Sequence, residues 1–109
     1  MQQTDDTIVL LTTVPDLKTG QLLAQTLVEQ KIAACVNLLP VMQSYYLWQG
    51  EIECDNEQQL IIKTESSLLN QAETLIRKHH PYEVPELIAI KPTAMGEDYL
   101  EWLKQCLQK

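Results

Sequence analysis

The chain has 109 residues, of which 45% are hydrophobic and 21% charged, values typical of one folded domain rather than a disordered segment. Its formal net charge of −7 argues against nucleic-acid and membrane binding, because an acidic surface repels phosphate groups and anionic lipid. Residues 1–11 lack the basic and long apolar segments of a targeting peptide. We therefore expect a single cytoplasmic domain over residues 1–109.

The sequence lacks the motifs that carry common enzyme chemistry. It contains only three glycines, and none forms a nucleophile elbow or a phosphate-binding loop. Cys35, Cys54 and Cys106 follow no zinc or redox spacing and are expected to be reduced thiols. The predicted activity is therefore binding rather than catalysis.

The first third of the chain predicts a strand, a helix and a second strand. Residues 8–14, IVLLTTV, are β-branched and almost continuously apolar, which is typical of a central strand covered on both faces. Pro15 and Asp16 are first-turn residues and predict a helix directly after that strand. Residues 31–40 predict the second strand, which should end or bend at Pro40 because proline cannot donate to a ladder.

The middle of the chain predicts an unusually long β-hairpin, with one arm over residues 44–50 and the other over residues 51–64. Gly50 lies where a tight turn requires a positive φ. Arms of this length should overhang so small a domain and need a partner strand, which predicts an oligomer. The alternation assigns one face to Tyr46, Trp48, Ile52 and Cys54, and the opposite face to Glu51, Glu53 and Asp55.

The last third of the chain predicts a helix, a strand and a helix. The first helix begins at Ser66 or Ser67 and ends before Pro81. Residues 86–90, ELIAI, predict a second central strand, and residues 96–108 the last helix. This order predicts an α+β, ferredoxin-like βαββαβ sandwich with an extra C-terminal helix and a long hairpin between its second and third strands.

Five segments in this order resemble the CutA divalent-cation tolerance family. They are ACVNLLP, SYYLWQGEIE, LIIKT, HHPYEVPELIAI and YLEWL, and the resemblance extends from about Ile8 to Leu103. It implies a cytoplasmic homotrimer formed by edge-to-edge pairing of the long hairpins, with a trimer architecture similar to that of PII-type signalling proteins. It also implies binding of copper or other divalent cations, and a role in the response to metal ions.

The resemblance also suggests which residues bind. His79 and His80 match the histidine pair to which the family's metal binding is attributed, whereas Thr12 stands where some members carry a cysteine ligand. Thr is a poor copper ligand compared with a thiolate. Four further residues resemble the polar lining of clefts between subunits in the family: Trp48, Lys63, Tyr82 and Glu86.

The histidine pair has two interpretations. Adjacent helical side chains diverge by about 100°, so His79 and His80 share one ion only if the helix unwinds at Pro81. Alternatively, His79 continues the apolar stripe of its helix and a cationic imidazole is stabilised at the helix C terminus. Lys63 is likewise expected to form an ion pair with Glu86 across neighbouring strands.

Two functions are consistent with these features. The first is a cytoplasmic homotrimer that binds divalent metal ions, copper especially, and contributes to metal tolerance. The second is a PII-like trimeric scaffold that binds a small ligand or a protein partner at its subunit clefts. Loss of the histidines would abolish the first function, whereas changes at Lys63 or Glu86 would abolish the second.

Overall fold

The elements follow one another in the predicted order, except that the chain around Pro40 separates two strands, Cys35–Leu38 and Met42–Trp48, and one short strand is added near each end of the chain. The structure is a computed structural model that describes residues 1–109. The strands are β1 (Gln2–Gln3), β2 (Thr7–Val14), β3 (Cys35–Leu38), β4 (Met42–Trp48), β5 (Glu51–Glu65), β6 (Ile88–Ile90) and β7 (Ala94–Met95). The helices are α1 (Leu17–Glu29), α2 (Leu69–His79) and α3 (Glu97–Cys106). None of the three combines the length and the apolar character that a membrane crossing requires.

The sheet has the topology of a ferredoxin-like fold. Its strands lie in the order β3-β5-β2-β6, and every pairing is antiparallel. When these four are renumbered along the chain, the order is 4-1-3-2, the result of two crossovers through α1 and α2. The outer half of β5 pairs with β4, and β1 pairs with β7 in a separate two-stranded sheet. The predicted fold class is confirmed.

The core lies between the sheet and the helices. Even-numbered residues of β2, from Ile8 to Val14, are buried on the helix side because side chains alternate along a strand. The apolar ones, Ile8, Leu10 and Val14, pack in one cluster with Leu23 and Leu27 of α1 and with Ile76 of α2. Asp16 begins α1 as predicted, since its carboxylate accepts a hydrogen bond of 2.8 Å from the Thr19 amide.

The position predicted for the last strand is wrong. β6 forms the edge of the sheet beside β2, and Ile88 and Ile90 remain about half exposed. A continuous apolar run predicts that both faces are covered, but it does not say whether the cover comes from the same chain. In this structure the chain itself covers only about half of the surface of these two side chains.

The long hairpin is present and turns through two residues, Gln49 (φ 50°) and Gly50 (φ 83°), as a tight turn with positive φ requires. However, the register contradicts the predicted faces. Directly opposite residues share a face, and the two-residue turn sets even residues of β4 opposite odd residues of β5. The pairs are Trp48 with Glu51, Tyr46 with Glu53, Leu47 with Ile52, and Tyr45 with Cys54.

The outer part of this hairpin, β4 with residues 51–57 of β5, is called the ribbon below. One face is acidic and carries the two rings of Tyr46 and Trp48, whereas the other is apolar with Tyr45, Leu47 and Ile52. The ribbon extends a molecule whose dimensions are 45 × 26 × 23 Å. The three apolar-face residues are each at least 70% exposed.

Candidate functional site

His80 ties the end of β2 to the segment that follows α2. It is buried and extended, because the residue before Pro81 avoids the helical conformation. The amide of Tyr82 donates to His80 Nδ1 at 3.1 Å. His80 Nε2 must then carry the ring proton and donate to the Thr13 carbonyl oxygen, 2.6 Å away. Both ring nitrogens are therefore engaged within the chain.

Gln59 makes the second link at the same place. Its side-chain amide donates to the Thr12 carbonyl oxygen at 2.8 Å and to the Glu86 carboxylate at 2.9 Å. The sheet register explains this contact: Ile88 lies opposite Leu11, so Glu86, two residues earlier, falls in the row of residues 13 and 59. The region formed by residues 12–13, 57–59 and 80–86 is called the ribbon root below.

The predicted ion pair between Lys63 and Glu86 is absent from the chain. Lys63 pairs with Val9, four residues along β2 from the row of Glu86, so the two side chains do not meet. Its ammonium group instead lies over the ring of Tyr99 in α3, 5.7 Å from the centroid. Glu86 takes its hydrogen bond from Gln59.

Tyrosines and carboxylates face one another between the ribbon and its root. The Tyr46 hydroxyl donates to Asp55, and this bond raises the pKa of Tyr46 to about 12. Burial, followed by the negative charge of Glu57, raises the pKa of Tyr82 to about 12. Glu57 is only 8% exposed, and no Lys or Arg forms a salt bridge with it. The ribbon root therefore carries negative charge that no Lys or Arg of the same chain neutralises.

Within one chain, the four residues predicted to line a cleft do not come together. Tyr82 and Glu86 both belong to the ribbon root, but Trp48 lies at the far end of the ribbon opposite Glu51. Six residues of strand separate Glu51 from Glu57, a distance of about 20 Å. Whether a second chain brings all four into one cleft stays a prediction.

His79 faces a different environment from His80. It lines an open groove of about 420 Å³ between the C-terminal end of α1 and the outer side of α2, with Gln30, Thr74 and Lys78. Its ring makes no hydrogen bond within the chain, in contrast to the doubly bonded ring of His80. The two imidazoles therefore have different availability for a ligand.

The donor set of one chain does not complete a metal site. No three side chains of His, Cys, Asp or Glu gather closely enough to hold an ion together. The hydroxyl of Thr12 is buried without a hydrogen-bond partner, and it offers no thiolate at the position where a soft cation would need one. His80 has no free nitrogen. A cation bound at the pair would need ligands from elsewhere.

Comparison with known proteins establishes the family. Residues 8–106 match the family model described as "CutA1 divalent ion tolerance protein". The chain belongs to the CutA1 divalent ion tolerance family. It is 40% identical over 103 residues to the divalent-cation tolerance protein CutA of Pectobacterium atrosepticum, with 94% of each chain covered. It is 44% identical over 102 residues to the chloroplastic CutA protein of Arabidopsis thaliana, which covers 94% of this chain.

The chain spans 56% of the Arabidopsis relative's length, and about as little of the similar rice protein. Solved structures agree with the family assignment. CutA1 from Oryza sativa superposes with a TM-score of 0.93 at 40% identity, with 97% of both chains covered. The divalent cation tolerance protein of Thermus thermophilus gives a TM-score of 0.91 at 36% identity, covering 94% of this chain and 99% of the other.

The sequence analysis did not identify Gln59 or Glu57 as parts of the ribbon root. Neither residue belongs to a motif that the sequence analysis singled out. A signal was present in the pair Gln58 and Gln59, which stand directly before the buried run LIIKT. Amides at such a position must find partners, and Gln58 does so at the Leu39 carbonyl oxygen.

Proposed function

We propose that this protein acts as a cytoplasmic homotrimer that binds divalent cations, copper first, in the tolerance of metal ions. Its activity is binding rather than catalysis. Membership of the CutA1 family supports the connection with divalent cations. The observation that carries the trimer is the exposed apolar face of the ribbon, which a single chain leaves in water.

The ribbon is unstable as an isolated feature. An isolated two-stranded hairpin has marginal stability in water. In this one, Leu47 and Ile52 lie directly opposite each other and are 73% and 76% exposed. Exposed apolar pairs beside open strand edges favour pairing with another chain. The open face of β6 with Ile88 and Ile90 provides a second uncovered apolar surface. Association of copies through these surfaces would bury both.

We propose that the cation is taken up at the histidine pair through His79. Its imidazole is a suitable ligand for copper and for other divalent transition metals, and it is free of intrachain hydrogen bonds. His80 would join only by giving up a bond to Thr13 or Tyr82. The remaining ligands would come from water or from a neighbouring chain.

Size-exclusion chromatography with light scattering tests the trimer. The wild type should elute with three times the mass of one chain. Ile52→Pro should dissociate or unfold it, because proline interrupts the ladder opposite Leu47. Gln43→Ser, in the same ribbon but at a polar pair with Asn56, is the control and should remain trimeric. A stable wild-type monomer would refute the proposal.

Titration calorimetry with copper(II) tests the cation site separately. Binding to the wild type and loss of binding in His79→Ala would support it. Equal heats in both proteins would reject His79 as a ligand. The alternative of a PII-like scaffold has no support from the relatives described above, which are named as CutA or for cation tolerance.

A further inference from the structure

We propose that His80 is a positioning residue of the ribbon root and not a cation ligand in the folded chain. The inference deepens the proposed function, on which it rests, by dividing the roles of the histidine pair. His79 remains accessible, whereas His80 holds the segment that carries Tyr82 and Glu86.

The hydrogen bonds of His80 make the first of two links between β2 and the segment of residues 80–86. The ring joins Thr13 of β2 to the backbone of Tyr82, through 2.6 Å and 3.1 Å contacts. The rings of His80 and Tyr82 also pack at 4.8 Å between centroids. His80 therefore fixes the start of the 80–86 segment to the end of β2.

Gln59 makes the second of these links. It joins Thr12, the neighbour of Thr13, to the carboxylate of Glu86. The segment is thus attached to consecutive residues of β2 at both its ends, directly through His80 and by way of Gln59. Pro85, buried between them, restricts the backbone further. Release of either attachment would free Tyr82 or Glu86 from the root.

Coordination at His80 conflicts with this arrangement. A cation needs a ring lone pair, and the lone pair of Nδ1 accepts the Tyr82 amide proton while Nε2 carries a proton for the Thr13 carbonyl. Using either nitrogen leaves a backbone group without its partner at a buried site. The loss of that hydrogen bond would lower the affinity of His80 for a cation by about tenfold or more. The free ring of His79 carries no such penalty.

Nuclear magnetic resonance of the wild type tests the inference without a variant. Long-range proton–nitrogen spectra should show His80 as the neutral form protonated at Nε2, and the Tyr82 amide should exchange slowly with solvent. Addition of zinc(II), a diamagnetic probe, should shift the ring nitrogens of His79 and leave those of His80 in place. A His80 ring protonated at Nδ1, or zinc coordination at His80, would overturn the inference.

Two substitutions separate the two bonds. His80→Asn keeps an acceptor for the Tyr82 amide, and His80→Gln keeps a donor for Thr13. We expect His80→Gln to accelerate exchange of the Tyr82 amide by about tenfold or more, and His80→Asn to accelerate it by less than about threefold. His79→Ala is the matched control and should leave this exchange unchanged.

Copper calorimetry on the same proteins completes the test. Both His80 variants, where folded, should bind copper within about threefold of the wild-type affinity, whereas His79→Ala should not bind. Loss of binding in both folded His80 variants would overturn the inference. If the wild type binds no copper, the proposed cation function fails, and the tautomer and amide exchange of His80 still decide its positioning role.

Discussion

Thr12 and Thr64 are both fully buried in the central strands, but only the hydroxyl of Thr64 has a hydrogen-bond partner, the carbonyl oxygen of Ile32. A buried hydroxyl without a partner costs about 1 to 3 kcal/mol. Thr12→Val should therefore raise the free energy of unfolding by about 1 kcal/mol, measured by urea denaturation. Thr64→Val is the control and should lower it by a similar amount, because it leaves a carbonyl unpaired. Destabilisation by Thr12→Val would contradict the structure around Thr12.

The two faces of the ribbon should respond differently to a change of charge. Leu47→Asp places a carboxylate on the apolar face opposite Ile52, and we expect it to weaken association of the chains by at least about tenfold. Glu53→Gln on the acidic face removes a charge and should leave association intact or strengthen it. Sedimentation equilibrium over a range of concentrations distinguishes the two. Equal effects of the two changes would mean that the apolar face is not the contact surface.

The stability of the ribbon and its root at high pH should depend on Tyr46 and Tyr82. Both have a folded pKa of about 12, above the ordinary value of 10.0, so the folded state favours the neutral hydroxyl. Their contribution to stability is fully present below pH 10 and is lost as the pH rises toward 12. Ultraviolet absorbance of phenolate should therefore show late ionisation of Tyr46 and Tyr82, together with Tyr45, whose pKa is also raised by a hydrogen bond with Cys54. Asp55→Asn should lower the pKa of Tyr46, because it weakens the hydrogen bond that the hydroxyl donates and removes the negative charge beside it.

An exposed ion pair between α3 and the start of β2 should contribute slightly to the stability of the fold. The ammonium of Lys104 lies 2.9 Å from the carboxylate of Asp6, and this contact lowers the pKa of Asp6. The contribution of the pair to stability is present above the ordinary aspartate pKa of 3.8 and is lost as the pH falls through the lower pKa of Asp6 in the folded state. Both side chains are more than one-third exposed, so solvent screening limits the pair to about 0.5 kcal/mol.

Lys104→Met is the variant that tests this pair. It should lower the thermal midpoint slightly at neutral pH and have no effect at a pH low enough to protonate Asp6. Arg77→Met breaks the other salt bridge, with Glu73 inside α2, and is the control, because its effect on the thermal midpoint should not depend on the protonation of Asp6. A pH-independent effect of Lys104→Met would attribute its role to packing of the alkyl chain.

Much of the fold could be predicted because its signals are local. The apolar run of β2, Asp16 at the start of α1, the turn at Gly50 and the termination of α2 before Pro81 each follow from a few neighbouring residues. Element order then restricts the topology to the ferredoxin-like arrangement. The prediction of the ribbon's faces failed because alternation along each arm does not fix the cross-strand register.

The candidate site could be predicted only in part, because its contacts join residues far apart in the chain. The sequence marks Tyr82 and Glu86 as noteworthy, but the partners of the ribbon root lie 27 to 67 positions away, as in Gln59 with Glu86 and His80 with Thr13. The expected Lys63 and Glu86 pair failed for the same reason. A strand offset of four residues separates them, and no local pattern reveals that offset.

The sequence by itself determined the elements, their order and a hairpin that extends beyond its own domain, since these depend on local backbone preferences and on the spacing of apolar residues. Only the tertiary structure decided that adjacent histidines face different surroundings. His80 turns inward because Pro81 ends the helix beside the buried Thr13 carbonyl, whereas His79, still helical, faces the groove between α1 and α2. Two identical side chains thereby acquire different chemistry from the hydrogen bonds that each one makes.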